Sequence, residues 1–415
     1  MTESEPLDQA WNYPLFEALY GRRSRRFGLG FEMPEGPYRY ASAHAPVPLT
    51  ELEEALLVGA GAGFTGLAFW DLPTPPPYPH RSGRTFPATR GGGHTALFVT
   101  NDEGFYVLDD NVAASKLREI ETANERGKLL DIYRAQRRPL RRGRVDIPRR
   151  APTMSAHDHW DSNRPGSTLF LPVCDVSAEL ISLIAQFVDP ALRRYAPASG
   201  GFNLVDDRQG FRPAGTERWL KDGFLNAEQV LPLSILERQA CYYVFSEPAA
   251  ICQNMFLATE ALGLGGWKHC GFLSLEILER MGFRIVTPPG IASFGNPVGL
   301  DGVFEASCPP YHLTMDAAVD AFFARSSRAE AAAVPYLVPE EQRRALRISA
   351  EGLACTKAVC NYIYDTYGRF PGATDAMHLM WVMQVHHIDT DYYVHFFGGG
   401  AYGATHASHM ATWHR

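Results

Sequence analysis

The spacing of apolar positions divides the chain into helix-like and sheet-like stretches. Thr50 and Glu53 stand at capping-box spacing, and Leu52, Ala55, Leu56 and Gly59 follow at helical intervals, so a helix starts at Thr50. The run TALFVTNDEGFYVLDD holds two β-rich segments around Asn101, Asp102, Glu103 and Gly104, which predicts a hairpin. Leu169 to Cys174 is an apolar run of strand length. The SAELISLIAQFV that follows carries helical spacing at Leu180, Ile181, Leu183, Ile184 and Phe187. Ala240 to Ser246 also reads as a buried strand, and Glu247 to Leu262 as a helix with Pro248 near its first turn and Gly263 at its end. Ala113 to Tyr133, Met315 to Arg325 and Glu340 to Tyr364 are helix-compatible. Residues 72 to 93, with PTPPPYP and a triple glycine, read as a long loop, and between Pro288 and Pro310 glycine and proline recur too often for a helix. There is no repeat of fixed period and no linker-like tract. Few strands among many helices predict an α+β fold, a core sheet decorated by helices.

Composition narrows the class. With 415 residues, 46% hydrophobic and 20% charged, the chain is a folded protein of one elaborated domain or two to three ordinary ones. No apolar run approaches the ~18 residues of a transmembrane helix, and the opening MTESEPLDQAWNYP is acidic where a signal peptide is basic, so a cytoplasmic protein is expected. A net charge of −7 argues against nucleic acid as a partner and gives no reason to expect a membrane surface. Arg134 to Arg150 runs against that balance, with eight arginines and Asp146 as its single acid. It reads either as a phosphate clamp or as a solvated edge, and the acidic remainder favours the edge. Seven cysteines without a C-x-x-C pair read as reduced core thiols.

Two glycine or arginine motifs invite chemistry. Gly61, Gly63 and Gly66 satisfy G-x-G-x-x-G, but they follow a helix, where a dinucleotide fingerprint follows a strand. Arg22, Arg23, Ser24, Arg25 and Arg26 place four guanidiniums and a hydroxyl within five residues, a donor set suited to phosphate. This R-R-S-x-R stretch, shortly before the first capped helix, resembles the opening of the nitroreductase family of FMN enzymes. In that family these side chains hold the ribityl phosphate and the pyrimidine edge of the flavin.

Two further segments resemble the same family. Arg84-Thr85-Phe86-Pro87-Ala88-Thr89-Arg90-Gly91-Gly92-Gly93, leading into TALFVTN, is similar to the flavin-contacting loop of its branch related to peptide-cyclodehydratase oxidases, with alanine in place of the serine after the proline. CQNMFLATEALGLGGWKHCGF looks like the family's helix and glycine turn, which would set the backbone of Cys270 and Gly271 beside flavin N5. The family's C-terminal phosphate-binding Lys or Arg has no counterpart here beyond Arg284. The resemblance implies a three-layer fold with a central mixed sheet flanked by helices. Residues 1–300 would form the FMN-binding core, with an insertion around 113–165, and 301–415 a helical, His-rich C-terminal extension. It implies an FMN-dependent oxidoreductase moving hydride between NAD(P)H or an organic substrate and an acceptor. FMN would be held by Arg22, Arg23, Ser24, Arg26, Ala88, Thr89, Arg90, Gly91, Cys270 and Gly271; the substrate would be a small molecule or peptide and the assembly a homodimer. The residues assign no catalytic side chain. Two other readings stay open: a flavin-free binding or scaffold protein, and a metal-dependent enzyme using the C-terminal histidines.

Those histidines, His378, His386, His387, His395, His406, His409 and His414, are seven of fourteen. His387 and Asp391 would share a helix face, as would His406 and His409, yet no H-E-x-x-H or secure triad appears, so hydrogen bonding and no metal is expected. His157, Asp158, His159 and Asp161 read as a turn that caps its own backbone. Cys270, between His269 and Gly271, reads as a structural thiol. The absence of G-x-S-x-G disfavours an α/β hydrolase.

Overall fold

A computed structural model describes residues 4–67, 82–89, 93–109, 125–192, 195–287, 295–330 and 347–414. The architecture is mixed helix and sheet. Its centre is a seven-stranded sheet in the order Gly265–His269, Val382–His386, Thr168–Asp175, Thr95–Thr100, Gly104–Leu108, Arg137–Arg142, with Met377–Leu379 also paired to Thr168–Asp175. The central strands Thr95–Thr100 and Thr168–Asp175 are rich in β-branched and aromatic residues, as strands are. Leu97, Val99 and Phe170 face one buried cluster; Phe98, Leu169, Leu171 and Val173 face another, so the sheet is covered on both sides. The predicted hairpin is present. Asn101 Oδ1 accepts from the amides of Glu103 and Gly104, and Asn101 Nδ2 donates to Glu54 Oε1 at 2.9 Å, tying the turn to the capped helix Glu51–Ala62.

Three expectations change. Every pairing in the central sheet is antiparallel, so the sheet is not mixed. The parallel pairing among the described residues, Leu225–Pro232 on Gly201–Asp206, belongs to a separate three-stranded sheet. Second, Met377–Leu379 and Val382–His386 come from the stretch expected to be a helical extension, so the sheet crosses the boundary drawn at residue 300. The stretch around 113–165 likewise supplies an edge strand, Arg137–Arg142, whose Arg137 pairs with Glu51 and Glu103. Residues 113–124 of that stretch lie outside the described residues.

Third, the strand expected at Ala240–Ser246 is part of one helix, Leu233–Leu262. Leu236, Ala240, Val244, Glu247, Ile251, Met255 and Thr259 are buried at three- and four-residue steps along it. Seven residues are too few to separate that period from a buried strand. Pro248 has no N–H for the carbonyl of Val244, one turn back, and the Cys174 thiol donates to that oxygen at 3.4 Å. The helix therefore continues through its proline. It closes on Gly263 at φ 79°, where an added Cβ would lie 2.3 Å from the Thr405 carbonyl oxygen. This contact seats the helix Ala404–Trp413 on the end of the long one. Gly61 has a similar use, a Cβ there meeting Met255, which accounts for glycine in GAGFTG by helix packing. No described helix is long and apolar enough to cross a membrane.

Candidate functional site

The arginine stretch leaves the helix Leu15–Gly21 and runs past the end of the long helix. Arg25 points inward: its Nη1 donates to Glu260 Oε1 at 2.5 Å, its Nε to Ala401 O, and its Nη2 to Gly21 O. Arg22 lies over the Phe256 ring at 4.9 Å. Arg23 and Ser24 are exposed, and Arg23 Nη1 donates to the carbonyls of Tyr20 and Arg22. Among the described residues no carboxylate pairs with the side chain of Arg22 or Arg23.

Arg26 is different. Its Nε donates to Asp161 Oδ2 at 2.6 Å and its Nη2 to Asp158 Oδ1 at 2.8 Å, and its guanidinium stacks 3.9 Å over the Trp267 ring. Burial works against the charge, but Asp161 and Asp158 outweigh it and hold Arg26 more firmly protonated than usual. The turn at 157–161 thus clamps an arginine, where the sequence suggested that it caps itself. A Cβ on Gly271 would sit 2.8 Å from Asp158 Oδ2, and Gly271 O accepts from Ser155 N at 2.8 Å. Arg26 and the Cys270–Gly271 segment therefore meet on one carboxylate. Cys270 itself is exposed. Beside them the buried His269 ring stacks on Trp267 at 3.9 Å; burial, then Arg26 and His157, push its pKa down to about 3.

The loop before Thr95 is anchored to the middle of the long helix. Thr89 N donates to Glu247 Oε1 at 2.7 Å, while His94 N and Thr95 Oγ1 donate to Glu247 Oε2 at 2.9 and 2.7 Å. Asn254 Nδ2 donates to Thr85 O, and Ala88 packs against the core. Arg90 and Gly91 lie outside the described residues. Glu247 and Glu260 are thirteen residues apart, about 20 Å along a helix, so Ala88 and Thr89 are not brought beside Arg25. A cavity of about 310 Å³ opens between Ala55, Gly59, Phe64, Leu129, Tyr133 and Ala258; none of the eight expected flavin contacts among the described residues lines it.

The C-terminal histidines fall into place differently from their spacing. The helix begins at Thr390 with Asp389 as its cap, so His387 precedes it and does not share a helical face with Asp391. His409 lies on Ala404–Trp413 as expected, together with His406. His387, His409 and His414 converge on Glu53, a residue read from the sequence only as a helix cap. Nothing in the local pattern marks that second role.

No protein-family profile matches the chain, and no curated protein sequence matches it. Among solved structures, a protein provisionally described as a nitroreductase, from Ralstonia eutropha JMP134, is 14% identical. The match covers 65% of this chain and 76% of the other, with a TM-score of 0.28, an overlap too loose to establish a common fold.

Proposed function

We propose that the chain is an FMN-dependent oxidoreductase of nitroreductase-like type, acting on a small molecule or peptide. The observation that supports this reading is the meeting of Arg26 and Cys270–Gly271 on Asp158, since the flavin resemblance needs these two distant segments side by side. The arginine stretch and the Cys270–Gly271 segment fit the cofactor. Arg22, Arg23 and Ser24, unclaimed by carboxylates among the described residues, would take the phosphate. Arg26, fixed in place by two aspartates, keeps its Nη1 for the pyrimidine edge. Cys270–Gly271 would lie along the ring's N5 edge, whereas Ala88 and Thr89, anchored about 20 Å away along the long helix, are not brought to this arginine cluster. Bound FMN would supply hydride transfer between NAD(P)H or an organic substrate and an acceptor; the chain positions it and excludes water. We propose a homodimer as the working assembly.

The test is a purification with a spectrum. Flavin absorbance, with FMN released on denaturation, supports the reading, and a colourless protein that takes up no added FMN defeats it. An FMN phosphate carries about −1.5 to −2 charge, and each charged hydrogen bond contributes roughly 1.5 to 3 kcal/mol. Arg23→Ala should therefore loosen FMN by about tenfold to a hundredfold. Arg26→Ala is the poorer probe, because it would also strand two buried aspartates.

A further inference from the structure

Glu53 uses its two carboxylate oxygens for different tasks. Oε2 accepts from Thr50 N at 2.6 Å and from Thr50 Oγ1 at 3.0 Å, closing the capping box. Oε1 faces three imidazoles: His409 Nε2 at 2.8 Å, His387 Nε2 at 3.2 Å and His414 Nε2 at 3.2 Å. His387 and His414 stand 3.0 Å apart, Nε2 to Nε2. All four donor atoms lie within 4.8 Å of one another, and Glu53, His387 and His409 are buried.

The far sides of two rings settle which nitrogen carries hydrogen. His387 Nδ1 lies 2.8 Å from Val47 O and His409 Nδ1 lies 2.7 Å from Leu262 O. A carbonyl only accepts, so both Nδ1 atoms are donors, and in the neutral ring each Nε2 is left with a bare lone pair. His409 Nε2 is buried against Glu53 Oε1 at 2.8 Å, close enough for an ion pair but without the angle of a hydrogen bond. With the rings neutral, lone pairs converge on a carboxylate oxygen in a dry place, an arrangement that costs free energy unless a cation, proton or metal ion, sits among them. The spacing suits one. Donors held about 2.0 to 2.1 Å from a tetrahedral ion stand roughly 3.3 Å apart, against 2.8, 3.0, 3.2 and 3.2 Å here. The two backbone carbonyls behind the rings are the outer partners that metal-bound histidines normally have.

We propose that Glu53, His387, His409 and His414 bind one divalent transition-metal ion, zinc being the cation that imidazole and carboxylate donors in a closed tetrahedron suit best. The ion clasps the helix Ala404–Trp413 and the residue after it to the first turn of Glu51–Ala62. The site is separate from the proposed flavin contacts, and its metal content is read whether or not the protein is yellow.

The full chain, stripped with dipicolinate and titrated with Zn²⁺, should take up one ion per chain, and its melting temperature should rise with free Zn²⁺. Co²⁺ in its place should give the visible bands of a four-coordinate site. Glu53→Gln and His409→Ala should abolish uptake, although Glu53→Gln also disturbs the cap. His414→Ala removes a partly exposed ligand beyond the last helix. It should weaken Zn²⁺ binding about tenfold or more while the stripped protein melts as the unaltered one does. A melting temperature unmoved by saturating Zn²⁺, or equal uptake in His414→Ala and His409→Ala and the unaltered chain, overturns the proposal.

Discussion

Arg25 and Glu260 form an ion pair whose side chains are 6% and 3% exposed, and it fastens the arginine stretch to the long helix. Replacing Arg25 by Met leaves Glu260 buried with the Arg23 amide, 3.3 Å from Oε1, as its hydrogen-bond donor among the described residues, and the exposed Arg23 charge as a weaker counter-charge. Breaking a buried pair from one side costs about 3 to 5 kcal/mol. The same substitution strips a donor from the carbonyls of Ala401 and Gly21, each worth about 1 kcal/mol. Arg25→Met should therefore destabilise the protein by about 5 to 7 kcal/mol, and Glu260→Met by about 3 to 5 kcal/mol. The double variant removes both charges and puts two apolar chains together, so it should cost less than Arg25→Met alone. Urea unfolding followed by circular dichroism and tryptophan fluorescence reads these differences from the midpoints, provided the slope is shared. Additivity of the two single losses within about 0.5 kcal/mol would mean that the groups do not see each other, and the buried-pair argument would fail.

Two other perturbations probe the neighbouring ground. Glu247→Gln turns an amide N–H toward either Thr89 N or His94 N, so one charged hydrogen bond becomes a clash of donors; a loss of about 2 to 4 kcal/mol and faster proteolysis between residues 84 and 93 are expected. Unfolding and cleavage indistinguishable from the unaltered chain would count against the anchor. His269 is neutral in the fold, with its pKa pushed from 6.5 down to about 3, so the stability it leaves intact at neutral pH is lost as pH falls below 6.5. The loss is about 1.4 kcal/mol per pH unit until the folded pKa is reached. His269→Phe keeps a ring on Trp267 and should make the stability profile between pH 6 and 4 shallower by that slope; parallel profiles would refute the assignment.

What could be read from the sequence was local. The capping box at Thr50, the Asn101 turn and the strand Thr168–Asp175 carry their instructions within a few residues, and they form as expected. The stretch Ala240–Ser246 was ambiguous because its period is visible only over the whole of Leu233–Leu262. The arginines illustrate a second limit: a sequence shows a charge without its counter-charge. Arg25 and Arg26 looked like one anion site with their neighbours, yet their carboxylates come from residues 260, 158 and 161. Glu53 shows the same limit from the other side. Its capping role was legible three residues away, and its three histidines, from residue 387 onward, were not.

The strand Val382–His386 lies in the interior of the central sheet, between Thr168–Asp175 and Gly265–His269. During synthesis its neighbours emerge long before it does. Until it arrives, both present unpaired edges to solvent, the condition under which nascent chains associate with one another. Completion of the sheet waits on a contact of very large sequence separation, which makes for slow folding. A chain cut at residue 300 would keep every segment in the flavin resemblance and still lack the strand that joins the two parts of its sheet, so it should accumulate as aggregate, not as a smaller working core.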